Sequence, residues 1–340
     1  MKAAILKEYS KPLVISDIPE PRPGPKEVLV KVKACGICGT DVKTCAGKKT
    51  DIKLPLVMGH EIAGEVAEVG TDVTGIRVGD SGVVHFYITC GKCVFCQSNR
   101  ETICERPLGR FGFNVDGGLA EYVAAPARNF IPIPSSLPFT NAAIICDAIA
   151  TNYRGLSKAD IQAGEYVLVM GLGGLGIHGV QIARALGANV IGVDVDPVKL
   201  ELARQLGFRR LVRFSQNGGF VEEVIKAADG NRISAILETV SIPATVDADL
   251  KLLGRGGKLI LAGYTNAPLS VPPYALVLSE LSVHGTRAAS RNDVRAVITM
   301  LEKREIVSVV TKTYPLEEVN CALEDLRLGR CVGRQVVLIG

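Results

Sequence analysis

Residues 165–199 constrain this chain more than any other stretch. Residues 166–170, Y-V-L-V-M, form a short apolar run that suits one buried strand. Gly171, Gly173 and Gly176 follow with G-x-G-x-x-G spacing. Residues 177–186 then carry helical periodicity and stop at Gly187, and a second apolar strand over 189–193 ends on Asp194. In such a unit the first glycine allows a sharp turn, the second lets a pyrophosphate approach the backbone, and the third lets helix pack on strand. Gly174 and Leu175 complete the loop, whose helix N-terminus offers free N–H groups to the phosphates. Asp194 stands 18 residues beyond Gly176 (194 − 176), where a carboxylate accepts from ribose hydroxyls. It would repel a 2′-phosphate, so the expected dinucleotide is NAD. An ordinary glycine loop is the competing reading of the three glycines alone; strand, helix, second strand and acid together favour the cofactor.

A length of 340 residues suits two domains. The net charge, 39 − 35 = +4, is small and dispersed, and no Lys/Arg block or tryptophan suggests a nucleic-acid surface. No apolar run approaches the roughly 18 residues of a membrane span, and residues 1–12 lack a signal-peptide core. A cytoplasmic enzyme with a small-molecule substrate is the expectation. Ten cysteines in such a chain point to thiolates held for metal and not to disulfides.

The sharpest cysteine pattern is Cys90, Cys93, Cys96 and Cys104, C-x2-C-x2-C-x7-C. Four thiolates within 15 residues can wrap one tetrahedral zinc and leave no position open, so the site reads as structural. An iron–sulfur cluster shares the first part of the spacing, but no proline follows the fourth cysteine. Elsewhere, G-I-C-G-T-D-V-K holds Cys38, Thr40, Asp41 and Lys43, and G-H-E holds His60 and Glu61. Cys38 and His60 are zinc-binding types 22 residues apart, a separation that a buried thiol and a satisfied core histidine would fit equally well.

Residues 28–32 read as a strand after the prolines at 19, 21, 23 and 25, and the Val/Gly-rich residues 62–84 read as bent strands of a small barrel. Residues 116–125 read as a glycine turn into a strand. Residues 141–157 are apolar with helical period and embed Asp147 and Thr151. A carboxylate there is costly unless paired or metal-bound, and Cys146 is a rival ligand beside it. Beyond the glycine loop, strands are expected at 210–214, 234–237, 257–262 and 280–283, with helices at 220–228 and 242–253. That alternation gives a doubly wound, six-stranded parallel sheet. Residues 287–340 revert to helix, loop and a last strand at 335–339.

Together G-I-C-G-T-D, G-H-E, the four-cysteine lobe, G-L-G-G-L-G with its acid, and G-R-Q-V-V-L resemble the zinc-dependent medium-chain alcohol dehydrogenases over essentially the whole chain. The resemblance implies an α/β protein. A GroES-like β-rich catalytic domain occupies residues 1–149, with a structural zinc lobe at about 90–104; a Rossmann NAD-binding domain occupies 150–286; residues 287–340 return to the catalytic domain. It implies two zinc ions per chain. Cys38 and His60 would hold the catalytic one, with Asp41 orienting His60 and Glu61 beside the metal. Thr40 would start a proton relay, Phe86 would line the substrate pocket, Thr151 would lie near the nicotinamide, Lys199 would support the adenosine ribose, and Arg334 would contact the pyrophosphate. Two departures stand out. The family's third ligand, often Cys, lies four residues before a helical Thr; counted back from Thr151 this is Asp147, with ligand charge unchanged but a harder site. Lys43 replaces the family's usual relay histidine, so the proton would leave through the ribose and water or through Lys43.

The implied reaction is reversible hydride transfer between an alcohol and NAD, giving a ketone or aldehyde. A zinc-free enone or acyl-CoA reductase of the same superfamily and a redox-silent NAD-binding module are the rivals; both would lose the Cys/His set retained here. By resemblance to microbial members of this length, the assembly is expected to be a homotetramer, or else a dimer, with Rossmann domains pairing near Leu281.

Overall fold

The computed structural model describes residues 1–48, 52–216 and 219–340. By their contacts they form two units: residues 1–148, 289–302 and 310–340 make one, and 149–288 with 303–309 make the other.

The first unit is built around the long strand Glu27–Ile37, buried along nearly all its length because strands flank it on both sides. Its seven-stranded sheet runs in the order Phe130–Pro132, Ser81–Val84, Glu61–Val69, Glu27–Ile37, Arg334–Leu338, Val310–Pro315, with Tyr122–Pro126 also pairing with Glu27–Ile37. Two registers matter for function. Gly36 faces Glu61, and Gln335 faces Ile37, both antiparallel. Cys38, Glu61 and Arg334 therefore arrive together at one end of three adjacent strands. Gly36 has no alternative here, because a Cβ would stand 2.0 Å from Glu61 Oε2.

The second unit carries a six-stranded, all-parallel sheet in the order Leu211–Arg213, Asn189–Asp194, Tyr166–Met170, Ile233–Glu238, Leu253–Leu261, Ser282–Gly285. This is the doubly wound order, and it reverses between Tyr166–Met170 and Ile233–Glu238. Leu168, Met170, Ile191, Val193, Ile236 and Leu259 of the strands pack with Phe220, Val224, Val246 and Leu252 of the helices in one apolar cluster. Ligands of open parallel sheets bind at such a reversal.

Several expectations are corrected. The apolar run 141–157 is not one helix: Phe139–Ala143 passes into a 3-10 turn at Ile144–Cys146, breaks at Asp147 (φ −120°, ψ −69°), and resumes as Ala150–Ser157. Helices Pro197–Gln205 and Pro273–Ser279 stand where none was read, the first capped by Asp196 accepting from Val198 N. The last parallel strand starts at Ser282, because Glu280 closes the preceding helix in the left-handed region at φ +48°. Residues 287–340 contain a further strand, Val310–Pro315, and a further helix, Val319–Arg327. Within that return, residues 303–309 side with the second unit: buried His178 takes Val309 N–H on Nε2 at 2.9 Å and meets Gly174 O through Nδ1 at 2.9 Å.

Candidate active site and cofactor pocket

The glycine loop has the shape its spacing implies. Gly171 turns the chain at φ +86°. Nothing lies within 4 Å of where a Cβ of Gly173 would be, so that face of the loop is open. A Cβ at Gly176 would meet Gly171 O at 1.7 Å, which forces glycine where the helix Gly176–Ala185 starts. Asn152 fixes the loop from outside by donating to Leu175 O at 2.9 Å, and Thr151 beside it is buried. Asp194 is 6% exposed and ends its strand with both carboxylate oxygens engaged, Oδ2 by Leu172 N at 2.7 Å and Oδ1 by Asp196 N at 2.9 Å. Lys199 Nζ stands 3.9 Å from Asp194 Oδ1. Beside them opens a cavity of about 300 Å³ walled by Gly171, Asp194, Phe214, Gln216, Val240 and Ile242, at the reversal of strand order.

In the first unit, Cys38, His60 and Asp147 each bring one ligand-type atom to within 4.8 Å of the other two. Cys38 Sγ lies 3.3 Å, and His60 Nε2 3.7 Å, from Asp147 Oδ2. Cys38 caps the short helix Gly39–Cys45, and Asp41 in its first turn receives Cys38 N–H at 2.8 Å. The other Asp41 oxygen meets His60 Nδ1 at 3.1 Å, which leaves Nε2 for the cluster. Thr40 and Lys43 are half-buried one helical turn apart. Phe86 and Phe113 stand against the His60 ring with centroids 5.2 and 5.0 Å away. Nothing in the sequence singles out Phe113: a lone aromatic in a glycine-rich loop carries no period and no spacing.

The cluster is short of positive charge. Burial alone would lower the His60 imidazole, but Asp41, Asp147 and Cys38 raise it well above its ordinary range. Burial likewise works against ionising Asp147, yet His60, Arg334 and Cys38 together hold its carboxyl below the usual carboxylate range. Arg334 is 5% exposed, and its Nη2 sits 2.6 Å from Glu61 Oε1 and 2.9 Å from Asp147 Oδ2. The strand register that brings Arg334 beside Cys38 sets these contacts. Burial raises the Glu61 carboxyl despite the pull of Arg334, and Glu61 Oε2 finds no hydrogen-bond partner. Sulfur, imidazole and carboxylate donors converging with a deficit of positive charge fit a divalent zinc-type ion held by three protein ligands. Cys146 lies outside this cluster, fully buried at the end of the 3-10 turn.

Cys90, Cys93, Cys96 and Cys104 form a second group with all four sulfurs within 4.8 Å. Neighbouring sulfurs are 3.4 Å (Cys90–Cys104), 3.5 Å (Cys93–Cys96) and 3.8 Å (Cys90–Cys96 and Cys93–Cys104) apart. Thiolates about 2.3 Å from one tetrahedral ion would be separated by about 3.8 Å, so the set fits zinc. None of the ten cysteines is in a disulfide. Backbone N–H groups of Lys92 and Cys93 lower the Cys90 thiol to about 6.

Comparison with known proteins agrees with this geometry. The family model for the alcohol dehydrogenase GroES-like domain matches residues 24–135, and that for zinc-binding dehydrogenases matches residues 174–303. An alcohol dehydrogenase of Geobacillus stearothermophilus is 36% identical over 341 residues, covering 100% of both chains. The chain belongs to the zinc-type medium-chain dehydrogenase/reductase family. Its fold closely follows the crystal structure of the alcohol dehydrogenase from Aeropyrum pernix, with TM-score 0.91 and 33% identity over 99% of this chain and 100% of that one. An acryloyl-coenzyme A reductase of Metallosphaera sedula is also similar, 31% identical over 340 residues and 98% of each chain. The GroES-like and Rossmann parts make this family member an oxidoreductase of the alcohol dehydrogenase type. No helix among the described residues is long and apolar enough to cross a membrane.

Proposed function

We propose that this protein is a zinc-dependent alcohol dehydrogenase that uses NAD(H), with one catalytic and one structural zinc per chain. The observation that carries the reading is the convergence of Cys38, His60 and Asp147 within 4.8 Å, with His60 Nδ1 committed to Asp41. When bound, zinc supplies a Lewis acid that lowers the pKa of an alcohol hydroxyl, and NAD supplies the hydride acceptor. Cys38, His60 and Asp147 hold the metal. Asp41 fixes the His60 tautomer, as an outer partner of a metal-ligating histidine does. Glu61 shares Arg334 with Asp147 and so would stand beside the metal. The Thr40 hydroxyl receives the substrate proton and passes it toward the ribose and water or toward Lys43. The rings of Phe86 and Phe113 keep water from the carbon chain of the substrate, which favours a partly apolar alcohol. In the second unit, Gly171, Gly173, Gly174, Leu175 and Gly176 take the pyrophosphate, Asp194 and Lys199 the adenosine ribose, and Thr151 the nicotinamide side.

Asp194 favours NAD, because a 2′-phosphate would bring negative charge against a buried carboxylate. A second reading, zinc-free reduction of a conjugated acyl thioester, is favoured by the similarity to the acryloyl-coenzyme A reductase. One experiment separates the two: zinc per chain by emission spectroscopy, followed by turnover on an alcohol panel with NAD and NADP. Two zincs with NAD-linked alcohol oxidation is the expected result; one zinc or none, with turnover only on an acyl thioester, sinks the proposal.

A further inference from the structure

A pair of buried acids lies beneath the cofactor pocket in the second unit. The helix Pro243–Leu252 turns Thr245, Val246, Asp249 and Leu252 inward, so a carboxyl group occupies the face that otherwise joins the apolar cluster. Asp249 is 0% exposed, and neither of its oxygens has a hydrogen-bond partner of the ordinary kind. Glu238, also 0% exposed, ends the fourth strand of the parallel sheet. Its Oε1 receives Val240 N–H at 2.6 Å and Ser241 N–H at 2.9 Å, and its Oε2 has no partner. Glu238 is close enough to act on the Asp249 carboxyl and raise it. One proton between them accounts for the orphaned oxygens on both sides at once, since a protonated Asp249 is a donor and Glu238 Oε2 is the acceptor left over.

The Glu238 carboxylate holds a turn that matters. Thr239 Oγ1 bonds Met170 O at 2.8 Å and Gly171 O at 3.0 Å. A Cβ on Gly171 would strike Thr239 Oγ1 and Val240 Cγ2, each at 2.6 Å, so the turn is seated on the first glycine of the loop. Ser241 is held in the left-handed region at φ +58°, a conformation that needs the surrounding bonds to persist. Val240, Ile242 and Thr245 wall the cavity of about 300 Å³ that also contains Asp194.

We propose that Asp249 is a positioning residue for the dinucleotide: as a neutral acid it donates to Glu238, and Glu238 in turn holds the turn at Val240–Ile242 that walls the adenosine pocket. The inference rests on the reading of that pocket as the NAD site. Burial and the neighbouring Glu238 both raise the Asp249 carboxyl well above its ordinary range, which keeps it protonated. Among the described residues, Glu238 is the one ionisable group that acts on it. Charged residues on the adjoining elements point elsewhere: Glu222, Glu223 and Lys226 of the helix Phe220–Ala227, Asp247 and Lys251 of its own helix, and Arg255 of the strand Leu253–Leu261 are exposed, and Lys258 is bound to Ala159 O. The folded protein thus keeps a proton that the unfolded chain releases. Stability, and with it the set of the turn, falls as pH rises from the ordinary carboxylate range through the folded value.

The test is NADH binding by fluorescence titration across pH, on the zinc-loaded enzyme. Wild type should bind NADH at neutral pH and weaken toward alkaline pH; failure of wild type to bind at all would overturn the cofactor assignment, not the acid pair. Asp249→Asn, which keeps a donor that cannot ionise, should bind within about twofold of wild type and lose the alkaline weakening. Asp249→Leu strands Glu238 Oε2 and should bind about tenfold more weakly, with KM for NAD raised and kcat little changed. Infrared difference spectra supply a readout independent of cofactor: a protonated-acid carbonyl band in wild type should vanish in Asp249→Asn. It should vanish as well in Glu238→Gln, whose amide donates to Asp249 and lets it ionise. No acid band in wild type, or an alkaline weakening that survives in Asp249→Asn, would overturn the inference.

Discussion

The two metal-type clusters of the first unit differ in almost every respect. The lobe takes four like donors from 15 consecutive residues, Cys90 to Cys104, and holds three of the four half-exposed. The other cluster takes three unlike donors from Cys38, His60 and Asp147, spread over 110 residues, with Cys38 and His60 buried and Phe86 and Phe113 against the His60 ring. Four thiolates would saturate a tetrahedral ion, so a zinc held by the lobe would serve the structure alone. Three donors would leave a fourth position of a tetrahedral ion open, which is what the proposed chemistry requires. The His60 imidazole is fixed by Asp41, Phe86 and Phe113 stand against its ring, Thr40 N–H reaches Cys38 Sγ, and Arg334 lies against Asp147. The number of donors decides the role, and the distance between them in sequence decides how easily the site is found.

Removing Asp147 should break this contrast hardest. Asp147→Asn is expected to lower turnover at least a hundredfold and to leave one zinc per chain, because an outer partner alone already costs ten- to a hundredfold. NADH binding and lobe zinc should persist. Metal analysis paired with steady-state kinetics decides it; full activity with two zincs would remove Asp147 from the site.

The lobe should respond in the opposite sense. Cys96→Ser should lose one zinc and lower the melting temperature by about 10 °C or more, since structural zinc contributes folding free energy directly. Turnover per folded chain should stay near wild type, read by active-site titration against thermal unfolding. A mutant that melts normally with two zincs would show that the lobe is not ligated by four thiolates.

Asp41 offers a finer cut. Asp41→Asn keeps an acceptor for His60 Nδ1 but removes the charge that favours a well-oriented ligand. Loss of about tenfold in affinity for the inner zinc is expected, with lobe zinc untouched. Competition with a chelator would report both sites in one trace, and equal loss from both would contradict the assignment of Asp41 to the inner site alone.

The same contrast explains what could be read before the structure. The lobe and the glycine loop are local patterns, so cysteine spacing and G-x-G-x-x-G with Asp194 announce them directly. The parallel strands Tyr166–Met170 and Ile233–Glu238, read at 166–170 and 234–237, were legible because both faces are buried and their central residues are apolar. The inner site is assembled by register. Gly36 opposite Glu61 and Gln335 opposite Ile37 bring distant residues to one strand end, and no spacing encodes that. The contacts of Arg334 with Glu61 and Asp147 come from that register and could not be read from spacing. Phe113, Glu238 and Asp249 carry no local signal either, since a buried acid on a helix looks like any solvent-facing acid until its helix is docked. The strand Val310–Pro315 was missed because Thr311, Lys312 and Thr313 are exposed and only Tyr314 of that run is buried, so no apolar period shows.

The smallest expected effect concerns Cys146, and it sharpens the comparison most finely. From the sequence, Cys146 and Asp147 are neighbours, and a thiol is the commoner partner for a cysteine and a histidine on zinc. An unbroken helix would have set them about 100° apart and left the choice to its rotation. The chain solves it differently. The 3-10 turn Ile144–Cys146 and the break at Asp147 (φ −120°, ψ −69°) turn one carboxylate toward Cys38 and His60, while the thiol stays at 0% exposure beside equally buried Ile144, Ile145 and Ile149. Cys146→Ser should then cost stability by burying a hydroxyl in place of a soft thiol, about 1 kcal/mol or somewhat more, which denaturant unfolding can resolve. Zinc content should remain at two and turnover within about twofold of wild type, since the ligand geometry is not touched. Loss of the inner zinc in Cys146→Ser, with Asp147→Asn left active, would reverse the assignment and show that the break serves to deliver the thiol.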